Sequence, residues 1–181
     1  MKQALFVIDV QNEYFTGALP VTHPAGSFEN IKNAMDRAHA ARIPIVVIQH
    51  VNPAPEAMAF RKGSPGCELH DEIKRRPYDI LIEKTLPGSF TGTGLEPWLR
   101  EHGITDITIA GYMTQMCCDT TARQAFHRGY NVTFLSDATG TLAISNTAGS
   151  ISASDLHTAI LITQQMRFSR VMKTDDWIAG L

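Results

Sequence analysis

Short apolar runs without a polar face alternate along the chain with segments of helical spacing. The runs are Ala4-Leu5-Phe6-Val7-Ile8, Ile43-Pro44-Ile45-Val46-Val47-Ile48, Ile80-Leu81-Ile82, Ile107-Thr108-Ile109-Ala110 and Val132-Thr133-Phe134-Leu135, with a weaker Ser169-Arg170-Val171-Met172 at the end. Rich in β-branched residues, they suit strands buried on both faces, as in a parallel sheet. Between them, Ile31, Ala34, Met35, Ala38 and Ala41 recur at helical spacing, as do Leu95, Trp98 and Leu99. Residues 117–128 put Cys118, Ala122, Ala125 and Phe126 on one stripe before Gly129, a good residue for ending a helix. A last helix is expected from about Ser154 to Met166, with Leu156, Ile160 and Thr163 on one face. This alternation predicts a single α/β domain over residues 1–181. Its architecture is a three-layer α/β/α sandwich around a mostly parallel, about six-stranded, Rossmann-like sheet.

Two stretches break the regularity. Residues 50–78 carry prolines at 53, 55, 65 and 77 and read as a long loop with one short helix near 68–75. Residues 137–152 are rich in Thr, Ser, Gly and Ala and show no periodicity. Loops this long in a compact domain are usually functional or lie at an interface.

Charge and cysteine usage narrow the function classes. Lys and Arg total 16 against 18 Asp and Glu, with no basic block, so a nucleic-acid surface is not expected. The first apolar run ends at Asp9 after five residues, too short for a membrane span or signal-peptide core, and a cytoplasmic protein is the expectation. Three cysteines (Cys67, Cys117 and Cys118) argue against a disulfide framework. There is no CxxC and no close histidine cluster, so neither a metal nor another cofactor is expected.

In open parallel sheets the ligand site lies beyond the carboxyl ends of the strands. Asp9 closes the first run, Gln49-His50 the second and Glu83-Lys84 the third, while Gly111 and then Tyr112 to Cys117 follow the fourth. Acid, amine and thiol thus fall on one edge. Cys117 follows a glycine turn at the start of a helix, where free N–H groups and the dipole favour an anion. A thiol so placed, with Lys84 nearby, is expected to ionise easily and act as a nucleophile, and the same N–H groups can receive an oxyanion. Each residue also has a plainer role: a buried structural Cys, a turn Asp, a solvated Lys. Their convergence favours chemistry. Cys118 points to the sheet and reads as packing, and Cys67 as a semi-buried filler.

These residues carry a family resemblance. Residues 4–17, Ala-Leu-Phe-Val-Ile-Asp-Val-Gln-Asn-Glu-Tyr-Phe-Thr-Gly, resemble the opening of isochorismatase-like cysteine hydrolases, whose first strand ends in a catalytic Asp. Glu83-Lys84-Thr85-Leu86-Pro87-Gly88-Ser89-Phe90 is similar to the family's catalytic-lysine segment. The block from Gly111 to Ala122 is similar to Gly-x-x-Thr-x-x-Cys-Val-x-x-Thr-Ala, with Cys118 where the family usually has Val. The resemblance implies a catalytic set of Asp9, Lys84 and Cys117. It further implies a non-proline cis peptide at Tyr112–Met113 and an oxyanion hole from the backbone of Met113 and Cys117. Phe15, His50, Phe90 and Tyr112 are candidate pocket walls. The Asp-x-His metal motif of nicotinamidases is missing from Ile48-Gln49-His50-Val51-Asn52-Pro53, which disfavours a metal-dependent nicotinamidase.

The implied activity is hydrolysis of a C–N bond in a small amide or carbamoyl-type substrate through a thioester. Two other readings stand beside it: vinyl-ether hydrolysis of isochorismate, which relies on the Asp without a Cys nucleophile, and a catalytically silent binding protein on the same fold. The expected partner is a small molecule, with no nucleic acid or membrane. By resemblance alone, the protein is expected to be a homo-oligomer, a dimer or tetramer.

Overall fold

The structure is a computed structural model that describes residues 2–181. Strand β1 (Gln3–Ile8) lies at the middle of the sheet, paired in parallel with β2 (Ile45–His50) on one side and β4 (Asp106–Tyr112) on the other. Outside these lie β3 (Ile80–Lys84), β5 (Asn131–Gly140) and β8 (Arg170–Met172), giving the order β3-β2-β1-β4-β5-β8 with every pairing parallel. The expected fold is therefore present.

The strand pleat sorts alternate residues into two cores. Leu5 and Val7 face one layer, with Ile31, Ala34, Met35 and Ala38 of α1 (Ser27–Ala40) and Trp177 of α6 (Thr174–Ala179). Ala4, Phe6 and Ile8 face the other, with Leu95 and Leu99 of α3 (Leu95–Glu101) and Ala122 and Ala125 of α4 (Asp119–His127). Residues Ala4 to Ile8 are fully buried, which is why β1 tolerates no polar position until Asp9.

Four details differ from the sequence expectations. β3 is an edge strand, so Leu81 is partly exposed while Ile82 and Lys84 are buried; an edge has only one neighbour to cover it. Residues 137–152 are more ordered than expected: β5 continues to Gly140, and β6 (Ile144–Asn146) pairs antiparallel with β7 (Gly149–Ile151). Ala41 ends its stripe as an exposed cap. In α5 (Ala153–Thr163) Leu156 and Ile160 are only half-buried, and the buried residue is His157. The short helix in the proline-rich loop is α2 (Asp71–Lys74).

Gly111 is where two strands meet most closely. It lies opposite Ile8 in the β1–β4 pair, with φ +120°, and an added Cβ would fall 2.1 Å from the Ile8 carbonyl oxygen. Only glycine lets β4 approach β1 immediately before Asp9.

Candidate active site

Asp9 stands at the carboxyl end of β1 with a left-handed backbone (φ 51°), a conformation Asp adopts more readily than most residues. Its N–H donates to the Ile48 carbonyl (2.8 Å) and its carbonyl accepts the Gln11 N–H (2.9 Å). Gln11, fully buried, then joins three segments: its Nε2 donates to the carbonyls of His50 (2.8 Å) and Cys67 (2.6 Å), and its Oε1 accepts the His50 N–H (2.9 Å). Cys67 is thus buried as an anchor for the proline-rich loop. The Gln11-Asn12-Glu13 sequence after Asp9 is scaffolding: Glu13 likewise accepts the N–H groups of Ala18 (2.6 Å) and Phe60 (3.4 Å).

Lys84 reaches this point from the end of β3. Its Nζ donates to Asp9 Oδ2 at 2.7 Å and to Cys117 Sγ at 3.3 Å, and lies 3.3 Å from His50 Nδ1. The side chains of Lys84 and Asp9 are both wholly buried, the opposite of a solvated strand terminus. Burial opposes the ammonium charge, yet Asp9 and Cys117 outweigh it and hold Lys84 above its ordinary value. His50 is held below its ordinary value, first by burial and then by Lys84, so its ring is neutral and can accept from the ammonium.

Cys117 comes from the segment between β4 and α4. The Tyr112–Met113 bond is cis. Thr114–Cys118 form one π-helical turn that runs directly into α4, and the Met113 carbonyl accepts the N–H groups of Met116 and Cys118 but not that of Cys117. The preceding segment is tied to α4: Ser89 Oγ lies 2.8 Å from Thr121 Oγ1, and the Phe90 N–H donates to Gln124 Oε1 (3.2 Å). The thiol is not ionised, contrary to what the helix-start position alone suggests. Burial and the adjacent Asp9 carboxylate push it well up, and Lys84 offsets only part of this. The resting set is carboxylate, ammonium and protonated thiol. Asp9 Oδ1, in contrast to Oδ2, is buried without a hydrogen-bond partner among the described residues.

The candidate pocket walls separate. Phe15 and Tyr112, with rings 6.0 Å apart, line a cleft of about 290 Å³ together with Tyr14 and the start of α1. The Tyr112 hydroxyl is turned onto Ser27 Oγ (3.1 Å). Phe90 instead packs in the core against Phe6 and Tyr130, with Arg128 over its ring. Two residues went unnoticed in the sequence. Tyr14 packs on Phe60 and Tyr112, and its hydroxyl is held well above its ordinary value by burial and then by Asp9 and Cys117. His157, on α5, meets Thr114 of the cysteine turn at 2.9 Å. A tyrosine five residues after the acid offered a signal; a lone histidine on a remote helix offered none. Among the described residues no three His, Cys, Asp or Glu side chains gather as a metal shell, and no helix is long and apolar enough to cross a membrane.

The chain is a parallel α/β/α sandwich with acid, amine and thiol buried together at the carboxyl edge of its sheet, and its relatives are hydrolases. The chain belongs to the isochorismatase family: the isochorismatase domain model matches residues 3–166. It is 46% identical to the crystal structure of an isochorismatase-type protein from Burkholderia xenovorans LB400, with TM-score 0.96 over 98% of this chain and 86% of that one. It is 28% identical to the isochorismatase family protein YddQ of Bacillus subtilis, over 98% of this chain and 99% of the relative. Amide hydrolases are also similar: nicotinamidase 3 of Arabidopsis thaliana (28% identical, 95% of this chain and 85% of the relative) and N-carbamoylsarcosine amidase of Thermoplasma acidophilum (25% identical, TM-score 0.80, 97% and 98%).

Proposed function

We propose that the protein hydrolyses the C–N bond of a small amide or carbamoyl compound, with Cys117 as nucleophile, Asp9 as proton carrier and Lys84 as electrostatic support. The observation that carries this reading is the division of labour on one carboxylate. Oδ2 is anchored by Lys84, which also touches the thiol, while Oδ1 is buried and unpartnered. A free buried acceptor beside a protonated thiol suits a base.

The thiol proton passes to Asp9 as Sγ attacks the carbonyl carbon, forming the C–S bond and an oxyanion received by the backbone N–H groups of Met113 and Cys117. Asp9 returns the proton to the nitrogen, the C–N bond breaks, and ammonia or an amine leaves a thioester. Water then gives a proton to Asp9 and attacks. The C–S bond breaks, the acid departs, and the thiolate regains its proton from Asp9. Lys84 stays charged throughout and keeps the excess negative charge of the buried set near zero. The similarity to two amide hydrolases supports the substrate class. A soluble cytoplasmic homo-oligomer acting on a small molecule is the setting proposed for it.

The test is ammonia release from a panel including nicotinamide, N-carbamoylsarcosine and simple ureido acids, with pyruvate release from isochorismate measured alongside. Ammonia release lost in Cys117→Ala supports the proposal. Pyruvate release retained in Cys117→Ala, with no ammonia from any amide, overturns it in favour of vinyl-ether chemistry.

A further inference from the structure

The most deeply buried side chains of α5 and of the turn that follows it are polar, although Leu161 packs on the core and Leu156 and Ile160 are half-buried, while Ile162 and Met166 are exposed. His157 is the buried residue of α5, and the next buried position is Gln164, where the chain passes into a π-helical turn. Both inward groups grip the cysteine segment. His157 Nδ1 lies 2.9 Å from Thr114 Oγ1, and Gln164 Nε2 donates to Asp119 Oδ1 at 2.7 Å. Thr114 opens the π-helical turn that carries Cys117, and Asp119 immediately follows that turn. α5 and the turn that follows it therefore hold the nucleophile segment at both ends.

The direction of the His157 contacts follows from their chemistry. His157 Nε2 is 2.8 Å from the Ser136 carbonyl, which can only accept, so the ring proton is on Nε2. Nδ1 is then an acceptor, and the Thr114 hydroxyl must donate to it. The result is a one-way chain from Thr114 through the imidazole to β5. Thr114 is fully buried and His157 is 4% exposed, so neither can substitute water for its partner. Among the described residues the one other titratable group facing His157 is His23, whose ring stands edge-on at 5.3 Å.

We infer that His157 is a positioning residue for Cys117, acting through the Thr114 hydroxyl to hold the thiol and its flanking N–H groups against Asp9 and Lys84. This rests on the reading of Cys117 as nucleophile. An apolar side chain could fill the same volume without the desolvation cost of an imidazole, so what the histidine adds is the fixed angle of a hydrogen bond.

The experiment follows two rates in each variant: alkylation of Cys117 by iodoacetamide at pH 8, and ammonia release from the best amide of the panel. In His157→Asn, Oδ1 takes the place of Nδ1 and still accepts from Thr114. In His157→Gln, Nε2 can still reach Ser136 but the acceptor for Thr114 is lost. His157→Gln and Thr114→Val should each slow both rates about 10- to 100-fold, with the loss in kcat rather than KM, the scale expected of a small misplacement at a reacting centre. His157→Asn and Thr114→Ser should stay within about threefold of wild type, and Thr114→Val/His157→Gln should be no slower than either single change. Equal losses in His157→Asn and His157→Gln, unchanged rates in Thr114→Val, or multiplied losses in the double variant would overturn the inference. Turnover surviving in Cys117→Ala would instead defeat the nucleophile reading, while the alkylation arm still reports the grip of His157 on the turn.

Discussion

Lys84 Nζ stands 2.7 Å from Asp9 Oδ2 although β2 separates the strands that carry them. The lysine starts on an edge strand, passes the end of β2 and delivers its charge to the middle of the sheet. Both side chains are out of water, so their attraction is little screened, and neither charge is tolerable without the other.

Removing one member of this pair is therefore costly. Lys84→Met and Asp9→Asn should each destabilise the fold by about 3–5 kcal/mol, because each strands a buried charge. The double variant should lose markedly less than the sum, since it leaves no charge behind. Urea titration of the four proteins checks this; simple additivity would mean the two groups are not energetically coupled.

Cys117 alkylation should depend on pH in a way that separates its neighbours. Burial and Asp9 hold the thiol up, and Lys84 pulls it down. Wild-type alkylation by iodoacetamide should therefore stay slow at pH 7.5 and rise only in alkaline solution. Asp9→Asn should speed it at pH 7.5 while abolishing amide turnover, and Lys84→Ala should slow it further. Rapid wild-type labelling below pH 7, followed by mass spectrometry, would show that Cys117 already rests as a thiolate and contradict this reading.

Gly111 admits no side chain. Gly111→Ala forces a Cβ into the Ile8 carbonyl at a φ of +120°. The expected cost is about 3 kcal/mol or more, combining backbone strain with the loss of the β1–β4 approach. Thermal melting reads the first effect, and loss of turnover in the folded fraction reads displacement of Asp9.

Acid should weaken the fold through its histidines. His50, His70 and His157 are all held below their ordinary value, in each case first by burial. For His50 the facing charges are Lys84, which adds to the effect, and Asp9, which opposes it; for His157 it is the ring of His23. Around His70, Asp71 and Glu72 oppose the lowering while Lys32 and Arg75 add to it. A group with a depressed folded pKa binds its proton more readily when unfolded, so stability is intact above about pH 6.5 and falls as pH drops through the folded values. The melting temperature should fall between pH 7 and pH 5, less steeply in His157→Asn than in wild type.

Much of this arrangement was legible in the chain. The strand ends could be read because β1, β2 and β4 are buried on both faces, so the first polar residue after each apolar run marks the sheet edge. Asp9, Lys84 and Cys117 then converge by topology alone. What could not be read is the state of the site. The helix-start position of Cys117 favours an anion, but the competing effects of burial and of Asp9 depend on side-chain geometry that no spacing reveals. His157 was hidden for a related reason: it takes the most buried place on α5 beside half-buried Leu156 and Ile160, and an apolar stripe at helical spacing points to those two residues instead. Phe90 sits in a matching motif yet packs on Phe6, since six residues beyond Lys84 the chain has already turned back to the core.

The central claim is that amide hydrolysis passes through an acyl group on Cys117 Sγ. The direct measurement is the mass of the protein quenched in acid during turnover of the best amide of the panel, with the modified peptide mapped. The account predicts an added mass equal to the acyl fragment, on the peptide carrying Cys117, and none in Cys117→Ala. Sustained ammonia release by Cys117→Ala, with no adduct on the wild type, would contradict it.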